Sequence, residues 1–339
     1  MLARTWPLIA SRTRHGLALC LILVVRTAAA VEPTPAPLEF LYEPANTLVA
    51  GSVLDADPAG QIVFHVDAVL SGKIQPMDRL EVQVPPWTAS KVRADEKYLF
   101  GYTLYAADTR HPGRMVARRQ GALMLVSVGL EPALLHDTPE ARAILRLGRH
   151  ESARSSRHAL DLYLRALIVP DPALQYLAAA QIAGEPEVQA RLRKADLAAV
   201  EAYARNPAAS PAGRRVLLEA AYHAPQRLGS SWPGEVSSNL VTTAPVGGYD
   251  DPAPGLGELV RTAFTILDSS SIVLPTASLA RWAHSDSPAL AEAALLLLRR
   301  QARDAERPAI EQALGDPHLA PETRTFLLDH LRRLQLSGS

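Results

Sequence analysis

A unit of Pro-opened helices occurs twice in this chain, and no other feature narrows its possible folds as much. The first copy runs from Asp171-Pro172-Ala173-Leu174 through Asn206-Pro207-Ala208-Ala209-Ser210-Pro211 to Arg214-Arg215-Val216-Leu217-Leu218-Glu219. The second runs from Ser287-Pro288-Ala289-Leu290 through Asp316-Pro317-His318-Leu319-Ala320-Pro321 to Arg324-Thr325-Phe326-Leu327-Leu328-Asp329. Proline suits the first turn of a helix, where its missing N–H would have no partner anyway. Each copy therefore reads as a helix start, a polar-Pro turn, and a second helix with Arg in its first turn. The offset is 116 residues at Pro172/Pro288 and 110 at Pro207/Pro317, so the first copy is longer between those points.

The helices around these copies carry one apolar stripe each. Leu160, Tyr163, Leu164, Leu167 and Ile168 fall at i, i+3, i+4, i+7 and i+8, and Leu256, Leu259, Val260, Ala263, Phe264 and Leu267 repeat the spacing. The helix at Pro288 is apolar nearly all round and needs neighbours on several sides. Such a stripe can be covered only by the next helix pair, which is the logic of stacked repeats. The pattern of an acid-Pro pair followed by an Ala/Leu-rich helix resembles HEAT-type repeats over roughly residues 138–336, implying a helical solenoid. A bundle formed by duplication satisfies the same pattern. Residues 225–255 are rich in Gly, Ser and Pro and read as a long irregular loop.

The N-terminus reads as an export signal over residues 1–30. Arg4, Arg12 and Arg14 form a basic start, Leu17 to Val25 a short apolar run, and Ala28-Ala29-Ala30 a cleavage site before Val31. The run is shorter than the ~20 residues a helical span needs, so no stable membrane span is expected after cleavage. The one cysteine, Cys20, lies inside this segment. The mature chain then has no disulfide, thiolate metal site or cysteine nucleophile. Four of the 35 basic residues and none of the 35 acidic ones precede residue 31, leaving 31 against 35. That mildly acidic balance gives no support to nucleic-acid binding.

Residues 31–39, with Pro33, Pro35 and Pro37, read as a tether. Residues 40–130 read as strands. The candidates are Leu48 to Leu54, Ile62 to Leu70, Leu80 to Val84, Tyr98 to Tyr105, Met115 to Arg119 and Leu123 to Val128. Short strands in series with no helix between them imply a small antiparallel barrel or sandwich. The order Val66-Asp67-Ala68-Val69-Leu70-Ser71-Gly72, Asp78-Arg79-Leu80-Glu81-Val82, Asp95-Glu96-Lys97-Tyr98-Leu99-Phe100 is similar to the OB-like barrel of the netrin and metalloprotease-inhibitor type. That resemblance implies an inhibitory barrel as one alternative function. The fold class expected is thus α+β, two domains: a small antiparallel OB-like barrel, then an α-helical repeat.

Chemistry is sparse. There is no His-Glu-x-x-His, no Gly-x-Ser-x-Gly elbow and no phosphate-binding glycine loop. No catalytic residue, metal ligand or cofactor is assigned. The densest basic stretch is Arg142, Arg146, Arg149, Arg154 and Arg157, at the junction of the two regions, where it could clamp an anionic partner. Trp87, Trp232 and Tyr249 fall on expected loops and are candidate partner anchors. The function expected is an exported, non-enzymatic scaffold whose repeats bind a protein or an anionic envelope component. The alternatives are protease inhibition by the barrel and hydrolysis near the 225–255 loop.

Overall fold

The computed structural model describes residues 37–72, 74–104, 122–128, 131–249 and 255–337. The expected signal segment and the strand candidate Met115 to Arg119 lie outside them. The fold is α+β, a closed β-barrel followed by helices.

The barrel is built from β1 (Asn46–Asp57), β2 (Gln61–Ser71), β3 (Leu80–Gln83), β4 (Lys97–Leu104) and β5 (Leu123–Leu125). A short helix α1 (Pro37–Leu41) precedes it, and α2 (Pro86–Ala89) sits between β3 and β4. The pairing order β1-β2-β3-β5-β4 returns to β1, and β3–β5 is the parallel pair in the ring. A small hairpin follows, β6 (Ser127–Val128) with β7 (Glu131–Pro132), and β8 (Leu134–His136) adds to β4. Closure requires β1 to bend so that it serves β2 on one side and β4 on the other. Gly51 lies at that bend, where a Cβ would sit 2.4 Å from the His65 carbonyl oxygen.

The inward residues fill the ring. Val49, Val53, Ile62, Phe64, Val66, Val82 and Phe100 form its core, with the Phe64 and Phe100 rings stacked at 4.0 Å. The opposite faces of β1 and β4 are buried as well. Leu48, Ala50 and Leu99 join Val126, Leu135 and the helical core. Burial on both faces explains why these strands read as continuous apolar runs rather than as an alternation. Two expectations change here. The tether gives way at Pro37 to α1, whose Leu38 and Leu41 are 0 % and 2 % exposed. Each such burial stabilises by about 1.5–3 kcal/mol. The sheet also extends past residue 130 to His136.

The helices are α3 (Pro139–Leu147), α4 (Glu151–Arg154), α5 (Arg157–Ala166), α6 (Pro172–Gly184), α7 (Pro186–Gln189), α8 (Lys194–Arg205), α9 (Pro211–His223), α10 (Pro225–Leu228), α11 (Trp232–Thr243), α12 (Leu256–Asp268), α13 (Thr276–Ala280) with a 3₁₀ turn (Arg281–His284), α14 (Pro288–Gln301), α15 (Arg303–Leu314) and α16 (Pro321–Ser337). Their starts follow local chemistry. Thr138 and Ser156 accept from the third residue of their helices, and Asp171 accepts from Ala173 and Leu174. The second Asp171 oxygen takes the His136 N–H at 3.3 Å, so one carboxylate ties β8 to α6.

The helices pack as a two-row ladder. One row is α6-α9-α12-α14-α16, each against the next. The other is α8-α11-α13-α15, and the rungs are α8/α9, α11/α12, α13/α14 and α15/α16. The two copies found in the sequence share a hydrogen-bond scheme. Asn206 Oδ1 accepts the Ala208 N–H at 3.0 Å, and Asp316 Oδ1 accepts the His318 N–H at 2.9 Å. Arg214 donates to the Ala204 carbonyl, and Arg324 to that of Leu314, each closing the end of the preceding helix.

The loop expected over 225–255 is largely helical, as α10 and α11. Pro233 costs nothing in a first turn. Trp232, Val236 and Leu240 then make a stripe buried by packing on α12. Tertiary burial overrides the weak helix propensity of the Gly, Ser and Asn residues there.

Candidate functional site

The seam between barrel and helices carries most of the basic stretch. Arg142 lies one turn into α3 and grips Asp137 with two hydrogen bonds, 2.5 Å from Nε to Oδ1 and 2.7 Å from Nη2 to Oδ2. That pairing raises the basicity of Arg142. Arg149 reaches across to the barrel and donates to the Leu70 carbonyl at 2.7 Å. Arg154 donates to the Gly148 carbonyl at 3.4 Å. Arg157 pairs with Asp196 at 2.5 Å and with Asp161 at 2.7 Å. The Arg157 hydrogen bond holds the Asp196 carboxyl below the usual range, against the effect of burial.

These arginines are therefore placed on separate structural duties rather than turned to a common point. Arg146 differs: it is exposed, and with Asp137, Thr138, Pro139 and Arg142 it lines an open hollow of about 380 Å³. Asp137 offsets Arg142 within that hollow, so one net positive charge, that of Arg146, remains on its wall.

The aromatic candidates are scattered. Trp87 is half-buried on α2. Trp232 is 2 % exposed, and its indole N–H donates to the Leu228 carbonyl at 2.9 Å. It is a core residue of the α11/α12 rung, and a surface anchor role for it is ruled out by that burial. Tyr249 leans on Trp282 at 5.9 Å and donates its hydroxyl to the Pro245 carbonyl at 2.6 Å. Burial, with Asp286 nearby, pushes the Tyr249 hydroxyl up to about 12. Asp286 accepts the N–H groups of Gly248 and Tyr249, fastening residues 245–249 to the turn before α14.

One group read from the sequence only as a first-turn arginine has a distinct setting. Arg214, the first-turn arginine of the first copy, is 5 % exposed and has no carboxylate partner among the described residues. Its Nε donates to the Ala204 carbonyl at 2.9 Å, and among the described residues its two Nη nitrogens meet no acceptor. Burial lowers its basicity, which the nearby Tyr203 hydroxyl partly offsets. The signal lay in the repeat: Arg324 occupies the matching place, yet it spends both Nη nitrogens on the Leu314 and Asp316 carbonyls.

Among the described residues no group of three or more His, Cys, Asp or Glu side chains is placed to hold a metal ion. No helix among them is long and apolar enough to cross a membrane. No family model matches the chain, and neither a curated protein nor a solved structure shows significant similarity to it.

Proposed function

We propose that this is an exported, non-enzymatic binding protein whose helical ladder presents an extended surface to a protein or an anionic envelope component. One observation carries the reading: two rows of helices in which each helix packs on the next. Stacks of this kind generate long surfaces in place of a deep pocket. We read the ladder as HEAT-like, and the barrel as OB-like from its strand order β1-β2-β3-β5-β4-β1. On this reading the barrel is a mounted end-piece of the ladder, and export follows from the N-terminal segment.

The test is site-specific photo-crosslinking of the full chain in the cells that make it. Thr265, Leu296 and Leu328 are exposed positions on α12, α14 and α16. A crosslinker at these places should trap one recurrent species, and the same group at Leu54 on the barrel should not. Trapping that is absent at all three, or equal at Leu54, would refute the ladder as the binding surface.

A further inference from the structure

Arg214 stands apart from the other arginines because it is deeply buried with no carboxylate beside it among the described residues. Arg142, Arg157, Arg205, Arg215, Arg261, Arg299, Arg300, Arg307 and Arg332 each face an Asp or Glu within ion-pair distance. A guanidinium keeps its proton at any physiological pH, so removal from water is a cost that only an anion or several acceptors can offset. Here a single carbonyl meets Nε, and the Nη pair has no acceptor among the described residues.

Closing the end of a helix does not require this arrangement. Arg324 performs the same task at the same point of the second copy with its fork fully engaged on two carbonyls. Arg214 performs it through Nε, which leaves the planar pair of Nη nitrogens spare. Among the described residues the sealed, partnerless side-chain nitrogens include Nε of Arg154, Arg215 and Arg281 but neither Nη of Arg214, so within them its fork is open to solvent.

The surroundings favour negative charge. Arg214 lies in the first turn of the 13-residue α9, beside the exposed turn 206–208. The start of α12 abuts that of α9, with Gly255 next to Pro211, and α12 has no side-chain cap. Helix N-termini carry partial positive charge and free N–H groups. Ser210 caps α9 by accepting the Gly213 N–H, and Asp171, the acidic cap of α6, already has three N–H donors. Glu258, in the first turn of α12, is paired with Arg261.

We propose that Arg214 is an oxyanion-binding residue: its spare fork takes a carboxylate or phosphate oxygen pair at the edge of the ladder formed by the 206–210 turn and the start of α9. A bidentate guanidinium contact suits the planar geometry of either group. The inference stands on the geometry of Arg214 alone. The binding reading above would supply only the molecule that carries the oxyanion, so the small-ion experiment can fail without touching the crosslinking result.

The experiment titrates the whole mature chain with sodium phosphate and, separately, with sodium succinate at fixed ionic strength. Arginine side-chain ¹⁵N–¹H resonances and the melting temperature are followed. The Arg214 resonances should shift saturably, and the melting temperature should rise relative to chloride, since a ligand held only by the folded state stabilises it. Arg214→Gln should abolish both responses, Arg214→Lys should weaken them at least several-fold, and Arg324→Gln should leave them intact. A response to phosphate alone or succinate alone supports the site and names its preferred oxyanion. Arg214 resonances that stay still with both ions overturn the proposal, even if the variants fail to fold. A response that persists in folded Arg214→Gln marks an adventitious ion only and overturns it equally.

Discussion

Glu185 shows how one residue can work against the fold that contains it. It follows α6, where burial raises its carboxyl above the usual range, against a lowering pull from Arg154. A carboxyl raised in the folded state is disfavoured there as the anion, so its ionisation subtracts stability once the pH exceeds the unfolded value of about 4.3. Glu185→Gln keeps an acceptor for the Gln181 side-chain amide, which now donates to Glu185 Oε1 at 3.2 Å. The variant should therefore melt at a higher temperature than the parent at pH 7. Followed by calorimetry, the gap should close as the pH falls toward 4. A variant that melts lower at pH 7 would show Arg154 to be the dominant neighbour. At this scale the sequence was a poor guide. Arg157 is neutralised by Asp196, which is 39 positions away, so the basic stretch looked like a clamp when read along the chain. Trp232 looked like a loop residue because its burial comes from α12. The Arg in the first turn of each copy was visible, but its two different hydrogen-bond patterns were not.

Three helices at the end of the ladder are clasped by one acid. Glu306 of α15 is 2 % exposed and receives three contacts from Arg299 of α14, at 2.7, 2.8 and 3.0 Å. His330 of α16 places Nε2 2.9 Å from the same carboxylate. Burial alone would raise the Glu306 carboxyl, yet the hydrogen bonds from Arg299 and His330 win and lower it. A lowered acid adds stability above its unfolded value, and that stability is lost as the pH falls through the folded one. Glu306→Gln should flatten the acid side of the stability profile between about pH 5 and 3. Glu306→Ala should cost about 3 kcal/mol in urea unfolding at pH 7, the lower end for a broken buried pair because Arg299 is partly exposed. An unchanged acid limb would remove the clasp. Elements with a strong period were readable before the structure: β2, β3, α5, α6, α9, α12 and α14 all fall where apolar spacing puts them. α10 and α11 were not, because their residues favour turns and only packing makes them helical. The closing of β1 onto β4 was hidden as well, since a strand buried on both faces shows no alternation.

The barrel and the ladder are held by one continuous core at the scale of the whole molecule. Leu38 and Leu41 of α1, Leu48 and Ala50 of β1, Leu99 of β4 and Leu135 of β8 pack in the same cluster as α3, α5 and α6. Tyr42 adds to the seam: its hydroxyl donates to the Leu145 carbonyl at 2.6 Å, and its ring lies 2.3 Å from where a Cβ of Gly148 would be. An isolated barrel ending at Asp137 would expose that whole face. It should therefore show no cooperative unfolding transition by circular dichroism, whereas the chain from Val31 onward should unfold cooperatively. A well-folded isolated barrel would mean that the seam is an interface between independent parts. The period change near Thr138 marked where strands give way to helices, but nothing in the spacing of residues showed that the two regions would share a core.

Each of the five ring strands in the described structure has a hydrogen-bonded neighbour on both sides. Within that ring a foreign peptide finds no wholly unpaired strand side to extend, and among the described strands only β8, β6 and β7 keep one side without a strand neighbour. Recruitment by backbone mimicry is closed to the described ring, so contact made through the ring itself falls to side chains. Single substitutions, rather than competing strand-like peptides, are the tools that would dissect it.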